Sequence, residues 1–151
     1  MIKDVAVNHL KRWCDDRGFF SEVIKDGEET FHEVKQTSYT ETLPGVIKAF
    51  HWHKKQWDVW FVIKGVAQVV LHDLREDSET KGETQAIVCG EDNPMLISIP
   101  PGVAHGYRVL GPQRVGLLYH TSEAYNPKEP DEERIEFDDP SIGFDWTTKN
   151  K

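Results

Sequence analysis

The stretch Gly45–Gly65, GVIKAFHWHKKQWDVWFVIKG, sets His51 and His53 one residue apart and Asp58 five further on, with a glycine at each end. Side chains two apart on a strand leave the same face, so the two imidazoles point into one space. A second segment, IPPGVAHGY from Ile99 to Tyr107, brings in His105 just after a Pro-Gly turn at the start of another strand. A small β-barrel whose cavity is lined by imidazoles from separated strand pairs is the simplest object that accommodates both segments.

Outward from that stretch, short runs rich in β-branched and aromatic residues recur between turn signals. They are RGFFSEVI, FHEVKQTSYT, GVIKAFHWH, WDVWFVIKG, VAQVVLHDL, TQAIVCG, PMLISIP, HGYRVLG and RVGLLYHTS. Such a series, without a clear amphipathic helix, predicts an antiparallel sandwich or barrel. In Val66–Leu74 the alternation is explicit: Val66, Gln68, Val70, His72 and Leu74 face one way, and Ala67, Val69, Leu71 and Asp73 the other. After Tyr125 the chain turns acidic and proline-punctuated, and residues 126–151 read as a tail wrapping the barrel, short helical or irregular, anchored by Ile135, Phe137, Ile142, Phe144 and Trp146.

The chain has 151 residues, which suits a single domain over 1–151 with an ordinary core. Eighteen basic against twenty-six acidic residues leave a net charge of −8, which disfavours nucleic acid or an anionic membrane as partner. No apolar run is long enough to cross a bilayer, and the first residues, MIKDVAVNHLKRWCDD, lack the apolar core of a signal peptide. The expected location is the cytoplasm. Cys14 and Cys89 are too isolated to suggest a metal pair or a disulfide framework.

Two chemistries fit the histidines. Three imidazoles and a carboxylate, His51, His53, Asp58 and His105, would suit a divalent metal ion, and their spacing resembles the two motifs of the cupin superfamily. Alternatively, a neutral imidazole in a partly dry cavity can remove a proton next to a carbonyl, and a phenol opposite can return one. Tyr119 in GLLYHTS can supply the phenol, with Lys48 and His105 near the developing enolate.

Most of the chain resembles the family typified by dTDP-4-dehydrorhamnose 3,5-epimerase. The matching motifs run in order. They are D-X-R-G-F-F-X-E at Asp15–Glu22, Gln36, G-V-I-K-A-F-H at Gly45–His51, and Gln56 with a glycine at Gly65. H-D-L-R with a following Ser and Thr covers His72–Thr80. Then come I-P-P-G-V-A-H-G-Y-X-V-L at Ile99–Leu110, L-Y at Leu118–Tyr119 with Tyr125 beyond, and D-D-P-X-I-G-F-D-W at Asp138–Trp146.

The resemblance implies a dimeric, metal-independent jelly-roll barrel of cupin type that needs no cofactor and takes a nucleotide-linked, most simply dTDP-linked, 4-keto-6-deoxysugar. It implies His51 as general base, Tyr119 as general acid, Arg17 on the nucleotide-sugar across a homodimer interface, and Glu22, Gln36, Lys48, His105 and Tyr125 at the pocket. Surface-polysaccharide biosynthesis is the expected setting.

Three positions depart from the family pattern. Asp58 stands where a lysine helps stabilise the enolate, and His53 stands where glutamine is common. The C-terminal aspartate that orients the base has no counterpart, although Asn150 falls close to its place. These departures keep two alternatives open: a metal-dependent cupin isomerase or oxygenase using His51, His53, Asp58 and His105, and a non-catalytic sugar-binding cupin. His9, His32, His72 and His120 have no such company and read as structural.

Overall fold

The computed structural model describes residues 1–148. Its strands are β1 (Ala6–His9), β2 (Trp13–Asp15), β3 (Gly18–Phe20), β4 (Gln36–Thr42), β5 (Ile47–Trp52), β6 (Asp58–Lys64), β7 (Val66–Asp73), β8 (Thr84–Gly90), β9 (Met95–Ile99), β10 (Val103–Leu110), β11 (Val115–Thr121) and β12 (Glu133–Arg134). They form two five-stranded antiparallel sheets, ordered β1-β9-β6-β11-β4 and β12-β5-β10-β7-β8, and a separate β2-β3 hairpin. From β4 to β7 the chain changes sheet at every step, and it does so again from β8 to β11. That jelly-roll path brings strands distant in sequence to one end of one cavity.

The sheets pack through the alternating apolar face read in the sequence. Ala67, Val69 and Leu71 of β7 enter the main core with Trp60, Ile97 and Leu117 of the facing sheet. Each fully buried aliphatic side chain there contributes roughly 1.5–3 kcal/mol. The opposite face of β7 is not left to solvent. Val70 packs with Phe50, Ala104 and Trp146, and with Ile135, Ile142 and Phe144 from the tail.

Through these contacts the described part of the tail packs on the second sheet, and it is irregular and not helical. Phe50 and Ile135 exchange backbone hydrogen bonds of 2.8 and 3.0 Å, and β12 extends the sheet beside β5 with Arg134 opposite His51. Phe137, expected as an anchor, is 42% exposed and contributes its carbonyl, which accepts from Trp146 Nε1 at 2.9 Å.

Two strand expectations shift. RGFFSEVI is not a single strand: Gly18, with φ of 130°, turns the chain from β2 into β3, and no strand follows until Gln36. FHEVKQTSYT accordingly contributes only its second half, as β4. Between β6 and β7 the reversal is tight enough to require Gly65, whose φ is +69° and where a Cβ would lie 2.4 Å from the Arg114 carbonyl oxygen.

Candidate active site

The site is assembled where β5 and β10 lie side by side. His51 and His105 are register partners across this pair, and their ring centroids are 4.2 Å apart, edge to face. The register slips after His105, and Gly106 occupies the crossing. A Cβ at Gly106 would meet the Ala49 Cβ at 2.3 Å and the Lys48 carbonyl oxygen at 2.7 Å, so only glycine lets the strands approach this closely.

His53 follows β5 directly and is held by the tail. Its Nδ1 faces the main-chain carbonyl of Asp131, while the Asp131 carboxylate accepts from the backbone N–H groups of Lys54, Lys55 and Gln56 at 2.8, 2.9 and 3.0 Å. A carbonyl only accepts, so His53 Nδ1 carries the proton and Nε2 is turned inward. The same logic fixes His105, whose Nδ1 donates to the Val103 carbonyl at 2.8 Å.

Asp58 opens β6 and sits beneath these rings, almost fully buried. Its carboxylate accepts from the Gln56 amide at 2.7 Å and from Trp60 Nε1 at 3.1 Å, and it lies 3.6 Å from His53 Nε2 and 3.4 Å from His105 Nε2. Burial alone would raise its pKa. The neighbouring imidazoles of His105 and His53 and the Gln56 amide outweigh that cost and hold Asp58 below the ordinary carboxylate range. His51 moves for a different reason: burial, reinforced by neighbouring His105, pushes its imidazole well below the usual value against an opposing pull from Asp58. At neutral pH its ring is uncharged and keeps a basic lone pair.

Above this floor opens a cavity of about 1140 Å³. His51, Lys48, Gln36, Tyr119 and Tyr125, all picked out from the sequence, line it. His51 comes from β5 and Tyr119 from β11 of the facing sheet. Lys48 Nζ donates to Thr40 Oγ1 at 3.2 Å, and Gln36 accepts from the Tyr125 backbone N–H at 2.9 Å.

His105 sits elsewhere than expected. It is 1% exposed, lies behind His51 and does not line the cavity, so its contacts run to His51, Trp60 and Asp58. Arg17 and Glu22 are also not brought to the cavity within one chain. Arg17 pairs with Asp15 beside the exposed β2-β3 turn, and Glu22 with Lys25 at 3.5 Å. Asn150 lies outside the described residues.

Four contributors were not assigned to the site from the sequence: Gln56, which enters there only as part of a family motif, Trp60, Asp131 and Arg134. The first two stand two residues either side of Asp58, so period-two alternation points to them. Asp131 and Arg134 belong to the acidic tail, read as solvated, and reach the site only through long-range contacts, Asp131 through its bonds to residues 53–56 and Arg134 through the β12–β5 pairing. Three of the remaining histidines make structural contacts: His32 stacks on Trp57 at 3.9 Å and bonds Ser98 Oγ, while His72 and His120 bond Thr84 and Thr37.

Known proteins match this chain over nearly its whole length. The family model described as dTDP-4-dehydrorhamnose 3,5-epimerase matches residues 1–151. The spore coat polysaccharide biosynthesis protein SpsL of Bacillus subtilis is 56% identical over 149 residues, covering 99% of each chain. A probable low-salt glycan biosynthesis epimerase of Haloferax volcanii is 37% identical, with 98% of this chain and 96% of that one covered. Among solved structures, the dTDP-6-deoxy-D-glucose-3,5-epimerase of Legionella pneumophila, in complex with dTDP-4-keto-L-rhamnose, superposes with a TM-score of 0.86 at 25% identity, covering 99% of this chain and 82% of that one. With a histidine on β5, a tyrosine on the facing β11 and a full-length match to the family model, this chain belongs to the dTDP-4-dehydrorhamnose 3,5-epimerase family.

Proposed function

We propose that this chain is an isomerase that inverts C3, C5 or both in a nucleotide-linked 4-keto-6-deoxysugar, most simply dTDP-linked, for the biosynthesis of a surface polysaccharide. The observation that carries this reading is the placement of His51 and Tyr119 on facing sheets around one cavity. The neutral His51 imidazole takes the proton from the carbon next to the C4 ketone, and the C–H electron pair moves onto the ketone oxygen as an enolate. Tyr119 then gives its phenolic proton to the opposite face of that carbon. Exchange with water resets both groups.

Developing negative charge needs a cation, and Lys48 on the cavity wall carries it as an ammonium without a guanidinium's bidentate geometry. His105 acts through His51 as a positioning residue, since it does not reach the cavity. The chemistry needs no redox cofactor, and a cytoplasmic setting suits a nucleotide-sugar substrate.

The remaining anion, the diphosphate, calls for Arg17, which is exposed at the β2-β3 turn and does not line its own cavity. That hairpin also exposes Trp13, Phe19 and Phe20. A homodimer that buries these rings and delivers Arg17 to the neighbouring cavity accounts for both features.

The test is solvent-deuterium exchange into C3 and C5 of dTDP-, GDP- and CDP-linked 4-keto sugars. Wild type is expected to exchange at least one centre, and His51→Phe to lose exchange by a factor of about 10²–10⁴. Unchanged exchange in that variant removes His51 from the base role. Tight binding of the nucleotide-sugar with no exchange in wild type would replace the enzyme with a sugar-binding module.

A further inference from the structure

His51, His53, Asp58 and His105 each offer one ligand atom, and these four atoms all lie within 4.8 Å of one another. With His53 Nδ1 and His105 Nδ1 committed to main-chain carbonyls, each ring directs Nε2 at the same carboxylate. An imidazole lone pair and a carboxylate oxygen are both acceptors and repel unless a positive charge lies between them. The Gln56 amide relieves part of this conflict, since it reaches His53 Nε2 at 3.2 Å as well as Asp58. His105 Nε2 has no such relief. Among the described residues it is a fully buried nitrogen without a hydrogen-bond partner.

We propose that the floor of the cavity binds a divalent first-row transition-metal ion through one ring nitrogen from each of His51, His53 and His105 and the carboxylate of Asp58. The spacing suits such an ion. Donors about 2.05 Å from a tetrahedral metal stand roughly 3.3 Å apart; His105 Nε2 lies 3.4 Å from one Asp58 oxygen and His53 Nε2 3.6 Å from the other, so a small inward shift of the set, whose atoms lie within 4.8 Å of one another, closes it on an ion. A carbonyl behind the protonated nitrogen of two of the rings is the outer support that metal-bound imidazoles usually have. Three imidazoles and one carboxylate favour Zn²⁺, Co²⁺, Ni²⁺ or Fe²⁺ over Mg²⁺ or Ca²⁺. His53 and Asp58 also line the cavity, so the ion has a route of entry.

Occupancy has a consequence for the reaction proposed above, and this part alone rests on that reading. His51 has one lone pair to give. A ring that donates it to a metal cannot accept a substrate proton, so the ion and proton abstraction exclude each other.

The decisive measurement is made without any sugar. Purified full-length protein, stripped with a chelator and dialysed, is titrated with Co²⁺ while the visible d–d absorption is followed, and bound Zn²⁺ is counted by elemental analysis. One equivalent per chain is expected, with the strong absorption of a low-symmetry cobalt site. His53→Gln and Asp58→Asn should each weaken binding about 100-fold or more, and His9→Gln should leave it unchanged. Circular dichroism and the melting temperature of the stripped variants separate lost ligation from lost folding, and Zn²⁺ should raise the melting temperature of wild type and His9→Gln only. Absence of stoichiometric binding by folded wild type overturns the proposal. So does full binding by both His53→Gln and Asp58→Asn, which places the ion elsewhere.

Deuterium exchange is then compared in stripped and Zn²⁺-loaded protein. Loss on loading and recovery on chelation is expected, whereas equal exchange in a stoichiometrically loaded protein removes His51 from the ligand set. Exchange absent from the stripped protein counts against the epimerase reading and leaves the cobalt result intact.

Discussion

Tyr119 shows how one atom separates two halves of a reaction. Its ring packs against the main core, so Tyr119→Phe keeps that packing and removes only the phenolic oxygen. Removing a general acid typically costs about 10²–10⁴ in rate. His51 remains, so the variant should still wash deuterium into the sugar with retained configuration while inversion falls by that factor. NMR of the product distinguishes the two events; parallel loss of exchange and inversion would mean that Tyr119 is needed for deprotonation itself. The cysteines offer a second residue-scale contrast. Burial pushes the Cys89 thiol up to about 12, whereas Cys14 is exposed. A thiol reagent at pH 8 should therefore modify Cys14 rapidly in folded protein and Cys89 only after denaturation. Rapid modification of both in the folded protein would show that β8 opens readily.

At the scale of elements, the H-D-L-R motif is explained by a loop and not by the site. Asp73 ends β7 with its side chain fully buried, accepting from Arg75 Nε at 2.9 Å, Thr80 Oγ1 at 2.7 Å and Ser78 Oγ at 2.5 Å, so one carboxylate organises the β7–β8 connection. Burial would raise its pKa, but the hydrogen bonds from Arg75, Ser78 and Thr80 hold it below the ordinary range. Its folded pKa is thus lower than its unfolded value of roughly 3.9. The stabilisation is fully present above about pH 4 and is lost as pH falls through the folded pKa, where the folded state must also take up the proton. Asp73→Asn should lower stability by about 2–4 kcal/mol at pH 7, because buried Arg75 contacts lose their charge partner. Urea unfolding should show that deficit narrowing below about pH 4; a deficit independent of pH would mean that packing, not charge, holds the loop. What was legible at this scale followed the local signal. The alternation of β7 is visible because Gln68 and His72 interrupt one face with polar contacts to Arg108 and Thr84, while Ala67, Val69 and Leu71 on the other enter the core. The β2-β3 hairpin was hidden because RGFFSEVI carries strand-forming residues on both sides of a reversal made by one glycine. His105 was legible as a site residue but not as a buried one, since a Pro-Gly turn says where a strand starts and not which ring lies in front.

For the molecule as a whole, long-range contacts decide what the sequence could not show. The acidic character of the tail suggests solvation, yet Trp146 is buried on Phe50 and Arg134 pairs with His51 along β5. Neither pairing has a local signature, because each joins segments about eighty residues or more apart. Arg17 poses the same problem between chains: its motif reads as ligand-binding, while its own cavity lies elsewhere. If the proposed dimer delivers it to the neighbouring cavity, each site is built from two subunits, and two inactive variants should rescue each other. In a mixed dimer of Arg17→Ala and His51→Phe subunits, one cavity has His51 and receives an intact Arg17, while the other has neither. Random mixing makes about half the dimers mixed, so roughly a quarter of all sites regain both groups. Unfolding and refolding the two variants together should therefore restore about a quarter of wild-type exchange, with each variant refolded alone remaining low. If co-refolded dimers form but exchange stays at the level of the separate variants, Arg17 serves its own chain or none. If the protein is a monomer at the concentrations assayed, the two-subunit site is wrong, and the diphosphate has to be held by cations already on the rim, Lys48, Lys54, Lys55 or Arg134.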